Sequence, residues 1–161
     1  METMEARMVK LYARNNNHVA LHAIPGHFAT SHSHINFYID MTSLKTRANE
    51  AQEVAKSLAG DYVNSTVVDT IVCMDGTEVV GAYLAQEFEK RGFRNTNLHD
   101  TIYVVTPEYN ANNQLIFRDN TIPAIKGKNV ILLLATTTTG LTVWRSLECV
   151  QYYGGTVHGI S

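Results

Sequence analysis

Four consecutive threonines, Thr136, Thr137, Thr138 and Thr139, run into Gly140, and Thr142 follows two residues on. Ahead of them Val130-Ile131-Leu132-Leu133-Leu134 is apolar enough to be a strand buried on both faces. Behind them Leu141 to Tyr152 carries Val143, Leu147 and Val150 at helical spacing. A hydroxyl-lined turn between the carboxyl end of a buried strand and the start of a helix suits an anion. The first amides of a helix have no internal partners, and its dipole favours negative charge there. Glycine lets the backbone close on a ligand, and threonine hydroxyls add donors without adding charge. A single Ser or Thr would be a helix cap and no more; four with a glycine predict a phosphate seat.

A second group is Asp75-Gly76-Thr77-Glu78, which follows the strand-like run Val67 to Cys73. Its carboxylates either face a ligand at the strand end or simply favour the start of a helix. The turn lacks the glycine pattern of a dinucleotide fingerprint, so no nicotinamide cofactor is expected. Phe37 and Tyr38 are adjacent; in a strand they point to opposite faces, so at most one stacks on a flat ligand, and core packing is the plain alternative. His27, His32 and His34 suggest a metal, and two of them share a face in an extended segment. No carboxylate or cysteine completes such a site at suitable spacing, so no metal site is assigned and the histidines are read as solvated or loop residues. Trp144, one residue off the Val143 stripe, reads as packing or a subunit contact.

These residues need a frame, and from residue 43 onward helix and strand patterns alternate. Ser43 to Leu58 has Leu44, Ala48, Ala51, Ala55 and Leu58 at helical spacing, with Thr46 and Asn49 as rival N-caps and Gly60 as the stop. A helix after Thr77 places Val80, Tyr83, Leu84 and Phe88 on one face and ends at Gly92. Thr101 to Thr106 and Asn129 to Leu134 read as strands, Gly154-Gly155 closes the last helix, and another strand begins at Thr156. This predicts an α/β domain, a parallel sheet flanked by helices on both faces, with ligands bound at the carboxyl ends of its strands. Residues 1–42 form an irregular hood and 43–161 the core of one domain. The Asn-rich connection 107–127 is long enough to be functional or mobile. With Ser161 in or just after a strand, the sheet is expected to be incomplete at its end.

The chain has 161 residues, 45% hydrophobic and 17% charged, with a formal net charge of -2. That size buries a substantial core, and the near-neutral charge without a basic block gives no reason to expect nucleic acid or an anionic membrane as partner. No apolar run approaches the ~20 residues of a membrane span, and the N-terminus shows no hydrophobic signal segment. Cys73 and Cys149 make no disulfide framework; both are expected to be buried and inert in a reducing cytoplasm.

The segment GKNVILLLATTTTGLTVWRSLECVQYYGGTVHGIS, residues 127 to 161, resembles the central signature of the type I phosphoribosyltransferases. TSHSHINFYIDMTSLKTR, residues 30 to 47, and VDTIVCMDGTEVVGAYLA, residues 68 to 85, are similar to the base-pocket segment and the pyrophosphate loop of the orotate enzymes in that family. The resemblance covers the chain from about residue 26. It implies that Thr136, Thr137, Thr138, Thr139, Gly140 and Thr142 hold the 5-phosphate of phosphoribosyl pyrophosphate or a nucleoside monophosphate. By the same likeness Asp75, Gly76, Thr77 and Glu78 face pyrophosphate, Phe37 and Tyr38 help form the base pocket, and 107–127 corresponds to the mobile loop that closes over substrate. It further implies a homodimer. A magnesium ion is compatible with it, held through water by Asp75, Glu78 or Asp40.

The departures fall on the chemistry. The two acidic positions that bind the ribose hydroxyls in the family are Leu134 and Ala135 here. Two charge-assisted hydrogen bonds are worth about 3–6 kcal/mol together. The cations that the orotate enzymes bring to pyrophosphate are also missing from Val105 to Asn110, and the basic position ahead of the aromatic pair is Thr30; Arg118, Lys126 and Lys128 come later in the connection. Two functions therefore stand: a transferase joining phosphoribosyl to a base with release of pyrophosphate, and a non-catalytic module that senses a nucleotide or phosphoribosyl metabolite. No residue is assigned a catalytic role.

Overall fold

The computed structural model describes residues 3–30, 33–62, 67–90 and 101–161. The N-terminal part is not irregular. β1 (Val9–Ala13), β2 (Asn16–Ala29) and β3 (His34–Asp40) make a three-stranded antiparallel sheet in that order. Its strands hide from a periodicity reading because much of the sheet is wet on both faces, leaving no clean alternation along β3. Pro25 and Gly26 interrupt the middle of β2, where the pairing with β3 slips.

Asp40 ends β3 and its Oδ1 accepts the amide of Thr42 at 2.9 Å, which opens α1 (Thr42–Thr46). The single helix expected over 43–58 is two helices. Arg47 adopts an extended conformation, φ -89° and ψ 117°, and α2 (Ala48–Tyr62) starts beyond it. Thr46 does not cap α2, since its hydroxyl turns back to the Thr42 carbonyl at 2.6 Å. Gly60 lies inside α2 and does not stop it.

β4 (Thr70–Cys73), α3 (Glu78–Lys90), β5 (Tyr103–Val105), β8 (Asn129–Leu133), α4 (Leu141–Tyr152) and β9 (Thr156–Ile160) build the core, with β6 (Glu108–Tyr109) and β7 (Leu115–Ile116) as a small hairpin between β5 and β8. The central sheet is parallel, in the order β5-β4-β8-β9. Alternation along its middle strands sends Ile71, Cys73, Ile131 and Leu133 towards α2 and α3, and Val72, Val130 and Leu132 towards α4, Phe117 and Ile125. Both faces are covered, which is why β8 reads as an unbroken apolar run. The expected Gly92 stop of α3 lies outside the described residues. The close of α4 follows the sequence expectation: Gly154 is left-handed at φ +82°, its amide donates to the Gln151 carbonyl and the Gly155 amide to that of Val150.

The connection 107–127 is not a structureless loop. After β6 and β7 it buries Phe117 edge-on against Tyr153, makes a 3-10 turn at Ile122–Ala124, and sinks Ile125 beneath α4.

Candidate functional site

The carboxyl ends of β4 and β8 lie side by side, and the chain leaves each by a turn into a helix. After β8 come Leu134, Ala135 and the four threonines. Thr136 to Thr139 are all exposed, and Gly140 takes φ +77°, a left-handed conformation that turns the chain into α4. The Leu141 amide makes a long contact of 3.4 Å with the Thr139 hydroxyl. The four exposed threonines thus lead directly into the amino end of α4, the order of groups an anion seat requires.

After β4, Asp75 and Gly76 both take positive φ, 56° and 77°, so the turn is tight and Asp75 carries local strain. Thr77 is buried; its hydroxyl is within hydrogen-bond distance of the Met74 carbonyl at 2.8 Å and of the Leu133 carbonyl at 3.1 Å. The Met74 amide also donates to Leu133, at 2.8 Å. These bonds fasten the Asp75–Glu78 turn to the end of β8, one residue before Leu134. The Asp75–Glu78 turn is therefore held at the strand end from which the chain runs on to Thr136.

Lys45, which the sequence reading passed over, joins that turn. From α1 its Nζ donates to the Asp75 carbonyl at 2.8 Å. This puts a cation at the turn where the sequence offered none from the 105–110 stretch. Its only signal was its place near the end of the segment 30 to 47, and nothing local marks where a lysine at that position will reach. Arg118 is paired instead with Glu108, at 2.5 Å, across the β6–β7 hairpin. Lys126 and Lys128 immediately precede β8 and so lie at the opposite, amino end of the sheet.

Leu134 and Ala135 line a cavity of about 150 Å³ with Met41, Leu44, Val54, Leu58, Val80 and Leu133, and with Lys45, Thr77 and Ser161 at its polar margin. The two positions at which the sequence resemblance expects an acidic pair thus line an apolar cavity. Ser161 runs on from β9: its carbonyl accepts the Leu134 amide at 2.8 Å, and its hydroxyl meets that of Tyr62.

Phe37 and Tyr38 point to opposite faces of the hood sheet and both are about half exposed, so neither is core. Tyr38 packs beside Phe28, with ring centres 5.7 Å apart. Among the described residues no contact ties either ring to the strand-end turns. His27 and His34 meet across β2 and β3, Nε2 to Nδ1 at 2.9 Å, while His32 lies outside the described residues. No group of three or more His, Cys, Asp or Glu capable of holding a metal occurs among the described residues. Trp144 is not packed; it stands 66% exposed on α4.

The oxygens at the site suit a magnesium ion only in part. Asp75 is exposed, Glu78 accepts a hydrogen bond from Thr106 at 3.3 Å, and Asp40 is committed to Thr42. Hydrogen bonds from the Thr42 side chain and then its amide hold the Asp40 carboxyl below its ordinary value. Such a set fits an ion carried in on phosphate oxygens and water better than a resident one.

A parallel sheet in this order with an antiparallel hood at its N-terminus is the fold of the type I phosphoribosyltransferases, and solved structures of that class superpose on the chain at the level of the fold. Orotate phosphoribosyltransferase of Mycobacterium tuberculosis H37Rv, in complex with Fe(III) dicitrate, matches over 87% of this chain and 75% of its own, with a TM-score of 0.56 and 16% identity. UMP synthase of Leishmania donovani matches over 86% of this chain and 27% of its own, with a TM-score of 0.61 and 18% identity. Adenine phosphoribosyltransferase from Rhodothermus marinus matches over 98% and 81%, with a TM-score of 0.53 and 14% identity. No protein-family model and no curated protein sequence matches the chain. No helix among the described residues is long and apolar enough to cross a membrane.

Proposed function

We propose that the chain binds the 5-phosphate of a phosphoribosyl ligand, phosphoribosyl pyrophosphate or a nucleoside monophosphate, at the threonine turn. One observation carries the reading: the exposed Thr136–Thr139 turn leaves the carboxyl end of β8, and Thr77 of the Asp75–Glu78 turn is hydrogen-bonded to that same strand end at the Leu133 carbonyl. The solved neighbours with the same fold are named as orotate and adenine phosphoribosyltransferases, which supports a phosphoribosyl ligand. Lys45 adds a cation on the pyrophosphate side.

The apolar lining at Leu134 and Ala135 favours binding without transfer. In a transferase, a base nitrogen bonds to the ribosyl C1 while the C1–O bond to pyrophosphate breaks and its electron pair leaves with pyrophosphate. Charge developing on the sugar then needs stabilisation at the strand end, and leucine and alanine give none. Magnesium, if the ligand brings it, would meet Asp75 or Glu78 through water and offset pyrophosphate charge. The reading also carries a cytoplasmic homodimer, for which Val9, Leu11 and Ile39 on one hood face and Trp144 on α4 are candidate contacts.

Calorimetry with ribose 5-phosphate, phosphoribosyl pyrophosphate and nucleoside monophosphates tests the seat, and a pyrophosphate-release assay with magnesium and a panel of bases tests transfer. Binding without release is the expected outcome. Release of pyrophosphate at a normal enzymatic rate would establish the transferase instead, and no binding of any phosphate ester would remove the reading. Sedimentation velocity at micromolar protein checks the dimer.

A further inference from the structure

We propose that the cavity beside the threonine turn is a subsite for an apolar group of about six carbons, and that the preferred ligand is a phosphate ester of such a group rather than of a ribose diol. This rests on the phosphate seat proposed above and names what the phosphate is attached to. The cavity measures about 150 Å³ and its walls are Met41, Leu44, Val54, Leu58, Val80 and Leu134. An apolar cavity of about that size accepts benzene. It offers a ribose nothing in exchange for two desolvated hydroxyls, because its nearest side-chain hydroxyls are committed: that of Thr77 to carbonyls and that of Ser161 to Tyr62.

The cavity is not an isolated hole in the core. Ala135 lines it and is bonded to Thr136, the first residue of the exposed turn. Lys45 stands at its margin with one of three donors given to the Asp75 carbonyl, leaving charge and two N–H groups for an anion. Apolar walls from α1, α2, α3 and β8 thus share one rim with a cation and with Ala135, the residue from which the threonine turn departs. Charge and grease at that spacing suit a small amphiphile with a phosphate head.

Among the described residues, a wider cleft beside the hood does not compete as an apolar site. Lying between the hood and α2, about 460 Å³, it is lined by Lys10, His18, His22, Arg47, Glu50 and Glu53, an open polar groove.

Isothermal titration of the full chain with benzyl phosphate, ribose 5-phosphate and inorganic phosphate tests the proposal. Benzyl phosphate is expected to bind at least about tenfold more tightly than ribose 5-phosphate, the margin that burial of several carbons provides. Leu134→Asp should remove that advantage, and so should Ala135→Asp, the folding of each variant being verified by circular dichroism. Ribose 5-phosphate binding as well as or better than benzyl phosphate overturns the subsite while leaving the phosphate seat intact. Failure of all three probes overturns the seat and the subsite together. Preference for benzyl phosphate that survives both aspartates would place the apolar group elsewhere and also overturn the proposal.

Discussion

Lys45 and Asp75 carry opposite kinds of work at one hydrogen bond. Asp75 is held at φ 56°, which for a residue with a Cβ costs about 1–2 kcal/mol. Lys45 and Thr77 keep the turn in that shape from either side. Asp75→Gly should therefore leave the urea midpoint unchanged or raise it slightly. Asp75→Val should lower stability by about 1–2 kcal/mol, since a β-branched side chain fits this region worst. Equal midpoints for the two variants would show that the turn relaxes freely. Lys45→Ala should hardly move the melting temperature, because exposed polar contacts contribute about 1 kcal/mol or less. Its effect belongs to ligand: affinity for a phosphate ester should fall by roughly tenfold, the scale of one charge-assisted hydrogen bond. Unchanged affinity would place the anion away from the Asp75 turn.

At the scale of elements, α3 packs closely on β4. A Cβ added at Gly81 would meet the Cys73 sulfur at 2.3 Å and Val104 Cγ1 at 3.3 Å, so α3 reaches the sheet only because position 81 is bare. Gly81→Ala should cost about 1–3 kcal/mol. Cys73→Ala in the same chain should recover part of that loss, since the sulfur is the obstacle; strict additivity in a chemical-denaturation cycle would contradict this. Such contacts explain which elements can be read from sequence. β8, α4 and β9 are legible because a strand buried on both faces, a helix with one apolar stripe and a Gly-Gly close each leave their own periodic mark. The hood leaves none: β3 is largely exposed on both sides, and β2 is broken by Pro25 and Gly26. The break at Arg47 is marked only faintly, by the rival caps Thr46 and Asn49, and neither tells that a separate short helix precedes α2. The threonine and Asp75 turns could be found as site candidates because each is a local string. The greasy cavity could not, since its walls come from four helices and strands that only folding brings together.

For the whole molecule, the two thiols report on different depths of unfolding. Cys73 is wholly buried between α3 and the sheet, and burial pushes its thiol up to about 12; Cys149, on α4, is pushed up to about 11 by burial as well. Against an ordinary value of 9.0, an unfolded chain releases these protons first as pH rises. Their contribution to stability is complete below pH 9 and is lost as pH climbs towards 11 and 12. Asp40 acts at the other limit: its lowered carboxyl favours the fold above its ordinary 3.8, and that contribution goes as pH falls through the depressed folded value. Near neutrality both thiols should resist alkylation because they are protonated and covered. Their coverings differ in strength. Cys73 is enclosed by the larger core around Phe88, Leu84 and Ile131. Cys149 is covered by the β6–β7 hairpin, its sulfur 3.4 Å from the Leu115 carbonyl, and that hairpin has only two residues in each strand. Short pulses of a thiol reagent along a urea series should label Cys149 at lower urea than Cys73, and Cys73 only with the global transition seen by circular dichroism. Simultaneous labelling would mean that the hairpin and the central sheet unfold as one cooperative unit, and earlier labelling of Cys73 would mean that α3, not the hairpin, is the weakly held face of the molecule.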